Sequence, residues 1–138
     1  VTWWAWLVWA VVLAALNAVG HPWLAGRLVR RGLRAGRATV SARGTTPGFG
    51  EWPPQWRLHR VSREAEGRLV LQRSTDHPTA PVVVLLSPAG SGRAVPGPER
   101  RRVVTGARRA VPVRTSAGVV EVAARPEVLD WLLAELPD

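Results

Sequence analysis

Residues 1–20 read VTWWAWLVWAVVLAALNAVG, and 17 of the 20 are apolar. At 1.5 Å per residue this makes about 30 Å of helix, the thickness of a bilayer's hydrocarbon core. A helix apolar on every face has no side to turn to water. A chain of 138 residues builds too small a core to enclose it, so lipid is the solvent that accepts it. Trp3, Trp4, Trp6 and Trp9 crowd the first turns and Trp23 lies past the far end, a pattern of two interfacial belts with Trp9 set deeper. Asn17 is the strongly polar side chain of the span. It reads as an amide near the boundary, with a helix–helix hydrogen bond in a dimer as the alternative. Pro22 lacks an N–H and disfavours a helical residue before it, so a transmembrane helix over 1–22 is predicted to end or kink at Gly20–Pro22. His21 reads as an interfacial side chain rather than a proton relay.

No charged side chain precedes Arg27; then Arg27, Arg30, Arg31, Arg34, Arg37 and Arg43 follow with no acid among them. The positive-inside rule therefore predicts a plasma-membrane protein, N-terminus outside and the remainder cytoplasmic. A signal peptide needs a basic region ahead of its apolar run, and residues 1–20 carry none; Ala15 and Ala18 imitate a cleavage site weakly. Val1 reads as a GTG start translated literally, the expectation being that this is the true N-terminus. Residues 23–37 form an Arg-rich juxtamembrane arm. Arg27, Arg30, Arg31 and Arg34 recur at helical steps, so a helix gathers them on one face, although Gly26, Gly32 and Gly36 weaken it. With Arg37 they are candidate contacts for anionic lipid headgroups, each worth about 1 kcal/mol beside an anionic leaflet. A topology signal alone is the plainer reading. Residues 38–54 (ATVSARGTTPGFGEWPP) are predicted to be a linker, with Trp52 beginning to pack onto a domain.

The net charge is +9, and every one of the 19 Lys-plus-Arg residues is Arg. Lys, Ile and Tyr are absent while Ala, Arg, Gly and Pro abound. That is the codon signature of a high-GC genome, which explains the missing Lys without a functional cause. No cysteine is present, so neither disulfides nor thiolate chemistry enter.

From Gln55 onward the periodicity turns to strands, giving a predicted β domain over 55–138. QWRLHRV places Trp56 and Leu58 on one face, with Arg57 and His59 on the polar one. GRLVLQR repeats the alternation with Leu69 and Leu71, and Glu64–Gly67 between them is a hairpin signal. PVVVLLS is a continuous apolar run (Val82 to Leu86) that reads as a buried strand. Residues 87–98 are a loop, and weaker strands follow at 102–105, 110–115 and 118–123, Pro112 demoting the second to an edge or bulge. Pro126 suits a first helical turn and Glu127 its positive end. Val128, Leu132 and Leu136 line one stripe with Leu129 and Leu133 beside it, and Pro137 stops this amphipathic helix at 126–136. The expected fold is thus a transmembrane helix plus a small, mainly β domain capped by a C-terminal helix. The domain is a barrel or sandwich of six to seven strands; a pleckstrin-homology (PH)-like domain has this order, as do other small β folds.

The order of parts resembles an actinobacterial family of single-pass membrane proteins of unknown function, often encoded beside F-type ATP synthase genes. The resemblance rests on the N-terminal span, the Arg-rich stop, the strand WRLHRV, and above all VVEVAARPEVLDWLLAEL at 119–136, similar to the family's last strand and helix. It implies a PH-like cytoplasmic domain and carries over no catalytic residues. This chain differs from the family in lacking tyrosine and in its long loop at 87–98.

Chemistry-bearing clusters are sparse. His21, His59 and His77 are isolated in sequence, and His59 is expected at the surface. Ser91 in AGSGR lacks the spacing of a nucleophile elbow and the Lys of a phosphate loop. The carboxylate pairs Glu64/Glu66 and Glu127/Asp130 are explained by a turn and a helix start. No catalytic, cofactor or metal site is therefore assigned. The strongest charged feature is a candidate basic patch, Arg100, Arg101, Arg102, Arg108 and Arg109, which a hairpin around Gly106 is expected to bring together for phosphates or headgroups. No aromatic residues interleave these arginines, which argues against nucleic acid. The expected function is a non-catalytic binding or scaffold protein whose partners are the bilayer, anionic headgroups or a membrane protein complex. The alternative is a small accessory subunit acting through its transmembrane helix. An enzyme whose groups converge only in the fold is a third reading.

Overall fold

The apolar run forms a helix, and the helix does not stop at Pro22. In the computed structural model, which describes residues 2–44, 55–73 and 82–137 (the side chains of 19–22 excepted), α1 spans Trp3–Arg34. It is long and apolar enough to cross a membrane, and 0% of its most apolar stretch is buried. The predicted end at 22 is thus corrected. Pro22 forfeits one bond of the helical ladder, whereas the turns beyond it gain packing, because Val29 and Leu33 lie against the core of the following domain. Arg31 and Arg34 in the last turn suit its negative end.

α1 closes through Ala35 N–H to Arg31 O (3.2 Å) and Gly36 N–H to Leu33 O (3.0 Å). Gly36 has φ +74°, the left-handed position that ends many helices, and a Cβ there would stand 3.0 Å from Arg63 Cβ. The chain then enters β1, Arg37–Gly44, directly. The predicted linker over 38–54 is therefore wrong for 38–44: these residues are a strand with neighbours on both sides. Ala38, Val40 and Ala42 face the core and Thr39, Ser41 and Arg43 face out; this period of two is carried by side chains too small to announce it. Trp52 lies outside the described residues, as does His77.

The remaining elements are β2 (Arg57–Arg63), β3 (Leu69–Arg73), β4 (Val82–Pro88), β5 (Arg93–Ala94), a 3₁₀ turn at Glu99–Arg101, β6 (Arg109–Thr115), β7 (Gly118–Ala124) and α2 (Pro126–Glu135). Strand order is β4-β3-β2-β1-β7-β6-β5, every pairing described is antiparallel, and an added β4–β6 pairing closes six strands into a barrel. β4 meets β6 at Leu85↔Thr115 and then Ser87↔Arg114, so Leu86 is an extra residue in the ladder. Such a bulge bends a strand, which is what closure requires. β6 is not an edge: β7 flanks it on one side, β4 and β5 share the other, and Pro112 donates nothing where one gives way to the other. Its carbonyl there accepts from Ala89 N–H at 2.8 Å. The strand predicted at 102–105 is instead the turns that follow the 3₁₀ segment.

The β2–β3 hairpin turns where expected, with Gly67 N–H to Glu64 O at 2.9 Å. The facing of β2 is the reverse of the prediction: His59 is 4% exposed inside the barrel and Leu58 is 46% exposed outside. β4 likewise buries one face only, Val83 and Leu85 inward and Val82 and Leu86 outward. α2 plugs the barrel, with Val128, Leu129, Leu132 and Leu136 in the same cluster as Val40, Val61, Leu71, Val111 and Val122. Arg63 at the end of β2 fastens it, bonding Glu135 at 2.8 Å and lying 5.8 Å over the Trp131 ring.

Two consequences follow from β1 and Gly36. A chain beginning at Gln55 lacks the strand between β2 and β7 and gives the collapsed amide spectrum of an unclosed sheet, whereas one beginning at Ala25 gives a dispersed spectrum. Gly36→Ala places a Cβ at positive φ and lowers stability by about 1–2 kcal/mol in chemical denaturation of the full chain in detergent.

Candidate functional site

The predicted lipid-contact residues are grouped by α1. At 3.6 residues per turn, Arg27, Arg30, Arg31 and Arg34 occupy an arc of roughly 100° on the side away from Val29 and Leu33, and all four are exposed. The Arg27 guanidinium lies 5.2 Å over the Trp23 ring, a stacking contact between residues one helical turn apart. Arg30 acts on the Glu127 carboxyl of α2. That carboxyl is lowered first by its own backbone N–H at the helix start, then by Arg125 and Arg30 against the cost of burial. Arg37 is exposed at the start of β1, on the outer face of the barrel.

The predicted basic patch is built differently from the expectation. No hairpin joins its two runs; both border Val95. Arg100 Nε donates to Val95 O at 3.1 Å, and Val95 N–H donates to Arg108 O at 2.8 Å. Arg109 reaches the Ser91 carbonyl, while Arg101 and Arg102 are exposed on the 3₁₀ turn and just past it. Ser91 sits in the β4–β5 loop and the next element is the strand β5, not a helix. Next to it, Gly92 has φ +83° and approaches so closely that a Cβ would fall 2.6 Å from Ala110 O.

Residues 92–108 fold back as a cover over the outer face of β1, β6 and β7. Beneath it Val95, Ala107, Ala110 and Ala123 form a second small core, with Trp56, Val103 and Val104 against it, and Ser41 Oγ accepts Val104 N–H at 2.8 Å. The cover is fastened by a charged lattice that sequence reading missed. Glu121 of β7 accepts from Arg43 Nε (2.9 Å) and from Arg93 Nε (3.0 Å). Arg93 also forks onto Glu99 with bonds of 3.1 and 2.8 Å. Trp56 Nε1 donates to Glu99 at 2.9 Å, and Arg43 lies 4.8 Å over the Trp56 ring. Two cations and two anions balance. The partners are 78, 28, 43 and 6 residues apart, so no local motif advertises them.

The lattice sets protonation. The Arg93 hydrogen bond pulls Glu99 down to about 2 from 4.5, against burial and with help from Trp56. For Glu121 burial is the largest influence and pushes upward, but the bonds and charges of Arg93 and Arg43 outweigh it and the carboxyl is lowered. Glu99 and Glu121 together raise Arg93. His59 is the other perturbed group: burial lowers it, the bond to Arg57 O opposes, and Arg73 adds repulsion. Its Nδ1 donates to that carbonyl at 2.8 Å, which fixes the neutral tautomer. The surface position expected for His59 is corrected, because β2 turns its alternate residues inward.

The turn carboxylates Glu64 and Glu66 both pair with Arg68, at 2.7 and 3.6 Å. Among the described residues no cluster of three or more His, Cys, Asp or Glu is placed to hold a metal ion. No family model, curated protein or solved structure matches the chain.

Removing the lattice's shared acceptor with Glu121→Ala costs about 1–2 kcal/mol, at the low end for charged hydrogen bonds because both guanidiniums reach solvent. The pH profile has two limbs. A depressed histidine is neutral when folded, so stability falls as pH drops through 6.5, where the unfolded imidazole takes up its proton. Depressed carboxylates contribute fully above 4.5 and lose that contribution as pH falls towards 2. Thermal melts from pH 8 to pH 2.5 show both limbs, and Glu99→Gln flattens the lower one.

Proposed function

We propose that this protein is a membrane-anchored, non-catalytic binding or scaffold module. In this reading α1 crosses the plasma membrane with its N-terminus outside. The barrel, PH-like in its succession of strands followed by one terminal helix, stands at the cytoplasmic leaflet and meets anionic headgroups or a membrane complex. The observation that carries the reading is the continuity of α1. One helix presents only apolar and aromatic surface over its first turns, turns an arginine arc outward below them, and ends with Val29 and Leu33 on the barrel core. Lipid-facing surface, charge stop and domain packing thus follow one another on one axis, and the barrel's distance and tilt from the bilayer are set by packing. Such an arrangement suits a device that holds a surface at fixed height.

A second reading is favoured by Asn17, an exposed amide within the apolar run. An amide facing hydrocarbon is costly unless another helix satisfies it, which suits an accessory subunit acting through its transmembrane helix.

Cross-linking the tagged full chain in native membranes, then purifying it, separates the two. A partner bound by the barrel persists when residues 3–18 are exchanged for a generic apolar helix and is lost when residues 37–137, β1 included, are exchanged for an unrelated barrel. The converse pattern assigns function to the helix.

A further inference from the structure

We infer that the groove between the foot of α1 and the barrel is a site for one anionic phospholipid molecule, an inference that rests on α1 crossing the bilayer. The groove encloses about 410 Å³, within the range of small-ligand sites. Its floor is apolar, from Leu28 and Val29 of α1, Val104 of the cover and Val128 of α2. Its rim carries Arg37, Arg60 and Arg125, with Thr39 between them.

The rim follows from strand register. Thr39 of β1 stands directly opposite Arg60 of β2, and Arg37 lies two residues before Thr39, on the same outer face. Arg125 precedes α2 and reaches the groove from the other side. Among the described residues the only carboxylate paired with these three arginines is Glu127, 3.3 Å from Arg125 Nε. Three guanidiniums against one carboxylate leave a net positive rim, and the planar fork of Arg suits the oxygens of a phosphodiester.

The floor decides for a lipid over a soluble anion. Leu28 and Leu24 are one helical turn apart, are both more than half exposed, and continue the apolar floor towards the bilayer. Leu28 lies about 8 Å along the axis from Trp23, comparable to the thickness of one headgroup layer. An acyl chain runs along Leu24 and Leu28 while its phosphate lies among Arg37, Arg60 and Arg125. Arg27, Arg31 and Arg34 do not line this groove and contribute a general attraction to the leaflet rather than a site.

Native mass spectrometry of the detergent-purified full chain, after incubation with equal amounts of phosphatidylglycerol and phosphatidylcholine, tests this. One phosphatidylglycerol adduct dominates; Arg37→Gln with Arg60→Gln reduces it about tenfold, and Arg27→Gln with Arg31→Gln and Arg34→Gln leaves it unchanged. All five side chains are exposed, and circular dichroism verifies that both variants fold. Arg60→Lys, which keeps the charge and loses the fork, lowers the adduct by a smaller factor. An adduct that survives the Arg37/Arg60 change, or that millimolar inorganic phosphate displaces, overturns the groove site. If the Arg27/Arg31/Arg34 change removes it instead, the leaflet contact belongs to the helix arc and the scaffold reading stands. Equal retention of both lipids by every variant removes the lipid half of that reading too.

Discussion

The strand that occupies the middle of the barrel wall is joined to the long apolar helix by two residues, Ala35 and Gly36. Everything else depends on that short junction. Because β1 must pair with β2 and β7, the foot of α1 is delivered to the barrel at a fixed angle. Val29 and Leu33 then complete a core that α2 closes from beside them. The small inward residues Ala38, Val40 and Ala42 follow from this crowding: two helices and a barrel wall meet there, and larger side chains would overfill the space. A left-handed residue at the junction lets the chain reverse without a loop, so helix and barrel form one packed unit rather than a domain on a tether.

Two groups stand out among the 19 arginines. Arg43, Arg63, Arg68, Arg93 and Arg125 are engaged by carboxylates, and the first four do structural work: Arg43 and Arg93 clamp the cover, Arg63 fastens α2 and Arg68 closes a hairpin. The arc on α1, with Arg37 and Arg60, is directed outward around the junction. Part of the formal charge of +9 gathers where the helix leaves its apolar stretch, and the acids all lie beyond it in sequence.

How much was legible follows the same physics. α1 and α2 announce themselves because their apolar residues are large and periodic, and the Glu64–Gly67 turn because its chemistry is local. β1 was hidden because its period-two signal is written in Ala, Val, Thr and Ser, residues that also make linkers. The two faces of β2 are interchanged when polarity is read as exposure, His59 going outside and Leu58 inside; inside the barrel a neutral imidazole bonded to a carbonyl is acceptable, and a leucine outside costs little. The continuity of the helix through Pro22 is not legible, because tertiary packing overrides a local breaker. The Arg43–Glu121–Arg93–Glu99 lattice joins four distant segments and exists only once the barrel closes. Of the candidate site, the α1 arginine arc was readable from spacing; the groove rim required register.

The absence of cysteine makes the decisive measurement simple. Spin labels at Leu24→Cys on α1 and Val82→Cys on β4, both exposed positions, report the helix-to-barrel distance by double electron–electron resonance in the full chain reconstituted in nanodiscs. A single narrow distance distribution, unchanged between neutral and anionic lipid, is expected of a helix whose foot is part of the barrel core. A broad distribution, or one that shifts with lipid composition, would mean that the barrel swings on a hinge and that the junction at Gly36 does not couple it to α1.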